Sequence, residues 1–170
     1  MISSVQVRIA KREDAEGITT VINSAFRGAE GFFIEKDRID LKSVLSFLAT
    51  GKFLLAESGG ILLGCVYVEP RGNRSYLGLL AVDPGKQQSG LGSVLMEAAE
   101  DYCRGLGLSF MDIKIVNLRE NLPAFYRRRG YVETGTSPFP TDLETKLPCH
   151  FIDMSKPLSE NQRSSSSIFE

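Results

Sequence analysis

The sequence predicts one domain of the mixed α/β class, with a central, mostly antiparallel sheet flanked by helices. Three observations predict it. Short runs of alternating or uniformly apolar residues, bounded by glycine and proline turns, read as strands. Longer runs with apolar residues every three or four positions read as amphipathic helices. The two kinds follow one another as β-α-α-β-β-β-α-β-α-β-β without an internal repeat, and 170 residues with 42% hydrophobic content suit one domain with its own core.

Val5 to Ile9 alternates apolar and polar residues and breaks at Lys11-Arg12-Glu13-Asp14, where Asp14 is placed to cap a helix through Ile18, Val21, Ile22 and Phe26. Gly28 to Ile34 mixes glycines with Phe32 and Phe33. A second helix follows, with Leu41, Val44, Leu45 and Leu48 on one face, suited to a substrate-side wall. Phe53 to Glu57 and Ile61 to Val68 are strands joined by the hairpin turn Ser58-Gly59-Gly60. After a turn at Pro70 to Asn73, Tyr76 to Val82 is apolar almost throughout, as expected of a central strand buried on both faces.

From Gly90 a helix carries Leu91, Val94, Leu95, Ala98 and Tyr102, and ends near Gly105 and Gly107. The strand Phe110 to Val116 comes next, then a short helix from Leu122 to Arg129 that stops at Gly130. Strands Tyr131 to Gly135 and His150 to Met154 finish the domain, with Pro138, Pro140 and Pro148 in the loop between them. The domain is expected over residues 5–157, with 158–170 as an unfolded tail, because Asn161 to Ser167 reads NQRSSSS and offers little to bury.

Twenty basic against 21 acidic side chains leave a net charge of −1, which removes the broad positive field of a nucleic-acid binder. Three cysteines, Cys65, Cys103 and Cys149, lack CxxC spacing, and the one histidine, His150, leaves too few soft ligands for zinc. No metal and no disulfide are expected. The N-terminus carries no apolar stretch of signal-peptide length, and no segment reaches the ~18 apolar residues of a membrane span. The expected setting is cytoplasmic.

The segment Leu80 to Ser93, LAVDPGKQQSGLGS, is a strand, a turn, and glycines opening a helix. Gly90 and Gly92 have no Cβ to block close approach, and the free N–H groups of a first helical turn favour an anion. A Walker loop would need GxxxxGK[ST], which is absent. A dinucleotide fingerprint would need GxGxxG in a βαβ unit early in a parallel sheet. The chain has only Gly90-Leu91-Gly92, after the antiparallel strands.

The pattern Gln87-x-x-Gly90-x-Gly92, preceded by Ala81-Val82-Asp83-Pro84, resembles the (Gln/Arg)-x-x-Gly-x-(Gly/Ala) signature of the GNAT acetyltransferases. The later run Pro123 to Tyr131, PAFYRRRGY, is similar to that family's last helix, and the element order matches over about residues 5–157. The resemblance implies an N-acetyltransferase that moves an acetyl group from acetyl-CoA to an amine by direct transfer through a tetrahedral intermediate. It also implies that the amides of Gln87, Gln88, Ser89, Gly90, Leu91 and Gly92 hold the CoA pyrophosphate, with Ser93 a further CoA-binding residue, while Ala81 and Val82 hydrogen-bond the pantetheine arm like an added strand. A bulge would splay Tyr76–Val82 from Phe110–Val116 to open a cleft, and backbone N–H groups near Val82 would polarise the thioester carbonyl.

Tyr126 aligns with the family tyrosine near the CoA sulfur, a general acid for the leaving thiolate and also a CoA contact; its other reading is a core tyrosine on a short helix. Where some members carry a strand glutamate this chain has Tyr76, so Glu69 on the neighbouring strand is the candidate base acting through water, or else a solvated carboxylate. Arg119 stands where relatives have an asparagine that touches pantetheine. Asn117 then becomes the preferred CoA contact, or a loop cap. Arg127, Arg128 and Arg129 are candidates for the CoA 3′-phosphate, or form a solvated face. His150 remains unassigned, and Cys103 reads as a packed side chain, which disfavours an acyl-cysteine route.

The acceptor is a small-molecule or peptide amine, with Gly28–Leu48 and Thr136–Cys149 as its walls, and the assembly is a monomer or homodimer. A second reading, favoured by the missing strand glutamate, is a non-catalytic acyl-CoA sensor or interaction module on the same fold.

Overall fold

The computed structural model describes residues 4–34, 36–87, 89–140 and 144–158. Its strands are β1 (Gln6–Ile9), β2 (Lys52–Ser58), β3 (Ile61–Arg71), β4 (Arg74–Val82), β5 (Phe110–Val116), β6 (Val132–Pro138) and β7 (His150–Pro157). Its helices are α1 (Ala15–Glu30), α2 (Leu41–Thr50), α3 (Leu91–Gly105) and α4 (Leu122–Arg127). They form one seven-stranded sheet in the order β1-β2-β3-β4-β5-β7-β6. Every neighbouring pair is antiparallel except β4 with β5.

Side-chain alternation along β2 and β3 sorts the core into two layers. Leu54, Ala56, Val66 and Val68 pack with Leu91, Leu95, Met96, Ala99 and Cys103 of α3 on one face. Phe53, Leu55, Cys65 and Tyr67 pack with Ile18, Ile22 and Val44 of α1 and α2 on the other. The strand buried on both faces is therefore β3, whose residues 63–68 are all buried. The expectation for Tyr76–Val82 is corrected, since only Leu77 and Ala81 are buried there. The reason is geometric, because one side of β4 borders a cleft.

Asp14 stands at the start of α1, but its carboxylate does not cap the helix. It accepts from Lys11 N–H at 2.7 Å and pairs with Arg8, which also bridges to Glu57 at 2.9 Å. The cap that does form is at α2, where Asp40 accepts from Ser43 N–H at 2.8 Å. Pro138 ends β6 rather than standing in the loop, as an edge strand allows. Leu158, expected to begin the tail, is buried and donates its N–H to Ser109 O at 2.8 Å. The rest of the expected tail lies outside the described residues.

Two polar clusters fix the geometry near the cleft. At the start of β4, Arg74 forks onto both Asp112 oxygens at 2.8 and 2.7 Å, and Ser155 joins them. Behind α4, Glu100 of α3 accepts from Tyr131 Oη and from Lys156 Nζ, each at 2.8 Å. Glu100 and Tyr131 are buried, and the Tyr131 ring meets Tyr126 edge-on with centroids 5.8 Å apart. No helix among the described residues is long and apolar enough to cross a membrane.

Candidate active site

The cleft begins where β4 and β5 part. Their parallel pairing covers only Arg74–Tyr76 against Phe110–Asp112. On the other edge of β4, Cys65 pairs with Ala81 but Tyr67 with Gly78, so β4 carries an extra residue. That bulge contains Leu79 at φ 52, a left-handed conformation disfavoured for leucine and an observed point of backbone strain. Beyond Tyr76 the β5-facing edge of β4 has no strand partner among the described residues. The space between the strands is a cleft of about 660 Å³, within the range of ligand pockets.

Residues 79–82 of β4 border it, with Gln87 and Gly90–Ser93 at one end. Asp83 accepts from Gly85 N–H at 2.8 Å and so shapes the turn that delivers the chain to α3. Gly90 starts α3 at φ 85, and a Cβ there would meet nothing within 4 Å. The helix therefore opens on empty space, with N–H groups that lack intrahelical acceptors and a partial positive charge. Such an end can bind a phosphate or pyrophosphate.

The expected loop residues do not all meet there. Gln87 lines the cleft and donates Nε2 to Val82 O at 3.3 Å. Ser93 also lines it, but its hydroxyl accepts from Arg129. Ser89 is exposed, does not line the cleft, and turns its hydroxyl back to Lys86 O. Gln88 lies outside the described residues. Asn117 is not brought to the cleft: its Oδ1 accepts from His150 N–H at 2.9 Å, a loop cap, and Asn121 lines the cleft in its place. The three arginines after Tyr126 diverge. Arg127 pairs with Glu133, whereas Arg128 and Arg129 both line the cleft, Arg129 lying over the Phe125 ring at 3.6 Å.

Tyr126 sits on α4 at the centre of the lining, 7% exposed, between Phe125 and Tyr131. Its hydroxyl has no hydrogen-bond partner among the described residues. Burial pushes its pKa up to about 12, so the group holds its proton at neutral pH.

Glu69 is placed differently from the expectation. It lies outside the lining, where it accepts from Tyr67 Oη at 2.6 Å and from Arg71 Nε at 2.7 Å. The Tyr67 hydrogen bond, then Arg71, holds its carboxyl below the usual range, which weakens it as a base.

Another carboxylate does line the cleft. Glu30 at the end of α1 is 7% exposed and meets Arg119 at 3.2 Å. Burial raises its pKa against the opposing pull of Arg119 and Arg38. The sequence carries a trace of it, because Ile22 and Phe26 lead, at spacings of eight and four, to a charge on the apolar stripe of α1. Arg38 lines the same end beside Phe26, Phe47, Tyr67 and Tyr76.

The profile of the acetyltransferase (GNAT) domain matches residues 49–133, half of the chain. The chain belongs to the GNAT acetyltransferase family. A curated relative is the amino-acid acetyltransferase of Azotobacter vinelandii, 26% identical over 137 residues that make up 79% of this chain. The match spans only 29% of that relative's length. Among solved structures, the ribosomal-protein-S18-alanine N-acetyltransferase of Escherichia coli is 18% identical with a TM-score of 0.73, covering 92% of this chain and 95% of that one. The PaiA N-acetyltransferase of Thermoplasma acidophilum, solved with coenzyme A, is 16% identical with a TM-score of 0.72, covering 91% and 99%.

Proposed function

We propose that the chain is an N-acetyltransferase that takes its acetyl group from acetyl-CoA and passes it directly to an amine. The observation that carries this reading is the convergence of three features on one cleft: the splayed β4 edge, the open amino end of α3, and the unpartnered Tyr126 hydroxyl. The residues fit coenzyme A. The open end at Gly90 would receive the pyrophosphate, Lys86 and Arg128 at the rim its other phosphate charge, and the main chain of Ala81 and Val82 the pantetheine.

Bound acetyl-CoA would supply an activated acetyl thioester. Across the whole transfer a C–S bond breaks and an N–C bond forms, while an ammonium acceptor sheds two protons, one ending on the thiol and one in solvent. Tyr126, which lines the cleft and keeps its proton at neutral pH, would hand that proton to the leaving sulfur. Glu30 lines the cleft, and its raised pKa would suit it to take a proton from the amine better than Glu69, which lies outside the lining.

Saturating acetyl-CoA is expected to raise the thermal midpoint. A ligand at a hundred times its Kd adds about 2.7 kcal/mol, which is about 5–11 °C for a chain of this size. An amine panel followed by free thiol should then give turnover. An unchanged midpoint would sink the proposal, and binding without turnover on any amine would favour the sensor.

Gly90→Val is expected to weaken acetyl-CoA binding at least tenfold. The positive φ also makes the substitution strained, at about 1–2 kcal/mol. Gly107, at φ 80 past the other end of α3 and equally open, supplies the control. Gly107→Val should lose similar stability and keep wild-type CoA affinity by calorimetry. Equal affinity in both variants would mean that the Gly90 turn is structural only.

A further inference from the structure

Glu30 and Arg38, which carry opposite charges and both line the cleft, form no ion pair with each other. Arg38 lines the cleft half-buried and has neither a hydrogen bond nor an ion pair among the described residues; its guanidinium lies over the Phe26 ring at 5.6 Å. It acts electrostatically on Glu30 and on Tyr76, both in the lining. Among the described residues the Glu30 carboxylate meets Arg119 alone, at 3.2 Å, which leaves acceptor capacity on it. Ala25, Phe26, Ala29 and Phe47 line the same cleft and give it apolar surface, beside Tyr67, Tyr76 and Arg119.

A guanidinium that lines a cleft with no protein partner is available to a ligand anion, and its planar fork suits a carboxylate. A carboxylate of spare capacity nearby suits an ammonium. We infer that the acceptor is a free α-amino acid with an apolar side chain, its carboxylate taken by Arg38 and its amino group by Glu30. This deepens the acetyltransferase reading and rests on it. The same end would discriminate against a peptide N-terminus, whose neighbouring carbonyl is a neutral amide and leaves Arg38 unanswered.

The test is calorimetry on the full chain with L-phenylalanine, L-phenylalaninamide and phenethylamine, and with the matching leucine and methionine sets, after saturation with CoA. The CoA titration comes first and judges the parent reading separately. If CoA does not bind, that reading falls and takes this inference with it. With CoA bound, at least one free amino acid is expected to bind tenfold or more tightly than its amide and its decarboxylated amine. In Arg38→Gln that preference should shrink to within about twofold, and in Arg38→Lys part of it should return, both variants melting as the wild type does. The amide or the simple amine binding equally well, no probe binding at millimolar concentration, or a preference that survives Arg38→Gln would each overturn the assignment while leaving CoA binding intact.

Discussion

Replacing Tyr126 with phenylalanine is expected to lower turnover about 10²–10⁴-fold, the range of a lost general acid, with CoA affinity changed by less than about twofold. That range corresponds to about 3–5.5 kcal/mol of transition-state stabilisation. The change is clean because the hydroxyl has no partner among the described residues, so no buried group is orphaned, and the ring keeps its contacts with Phe125 and Tyr131. Melting should therefore stay within about 1 °C. The measurement is steady-state release of free thiol with an acceptor from the panel. Full rate in the variant would remove Tyr126 from the chemistry and leave solvent to protonate the thiolate.

Glu100→Ala is expected to cost about 3–5 kcal/mol of folding stability, since removing one partner of a buried ion pair strands the other charge. For a chain of this size the midpoint falls by about 6–20 °C. Two groups lose their acceptor at once: the Lys156 ammonium, whose side chain is 17% exposed, and the buried Tyr131 hydroxyl. The double variant Glu100→Met with Lys156→Met should recover much of the loss, because an apolar pair of similar volume strands no charge. Chemical denaturation followed by circular dichroism reads both. A loss below about 1 kcal/mol in Glu100→Ala would show that the pair is screened by water.

How far the sequence could be read follows from which forces are local. The order of strands and helices was legible because periodicity and glycine turns are set within a few residues, and the open amino end of α3 because Gly90 and Gly92 stand in a recognisable spacing. The bulge and splay came from family resemblance alone, since nothing in LGLLAV marks Leu79 as left-handed. The charged part of the lining was legible only in part. Glu30 and Arg38 lie inside the Gly28–Leu48 stretch read as an acceptor wall, but Tyr76 and Arg119 come from β4 and from the loop after β5, and only the fold brings all four to one cleft. Glu69 and Asn117 misled because their residue types suit the proposed roles, while the hydrogen bonds that occupy them, to Tyr67 and Arg71 and to the His150 N–H, depend on neighbours a local pattern does not reveal.

The ion cluster of Arg74, Asp112 and Ser155 lies where β4 and β5 still touch, far along the strand from the amides at Val82. Two strands paired with each other at one end and apart at the other, each held by its outer neighbour, resemble a pair of dividers, in which the joint helps to set the gap at the tips. Six residues of strand span about 20 Å, so a 5° error at the joint displaces the tip by about 1.7 Å. Reacting groups tolerate far less, since a misplacement of about 1 Å can cost a hundredfold in rate. A substitution at Asp112 would thus act as a loss of calibration: every reacting side chain would still be present, but set to the wrong span.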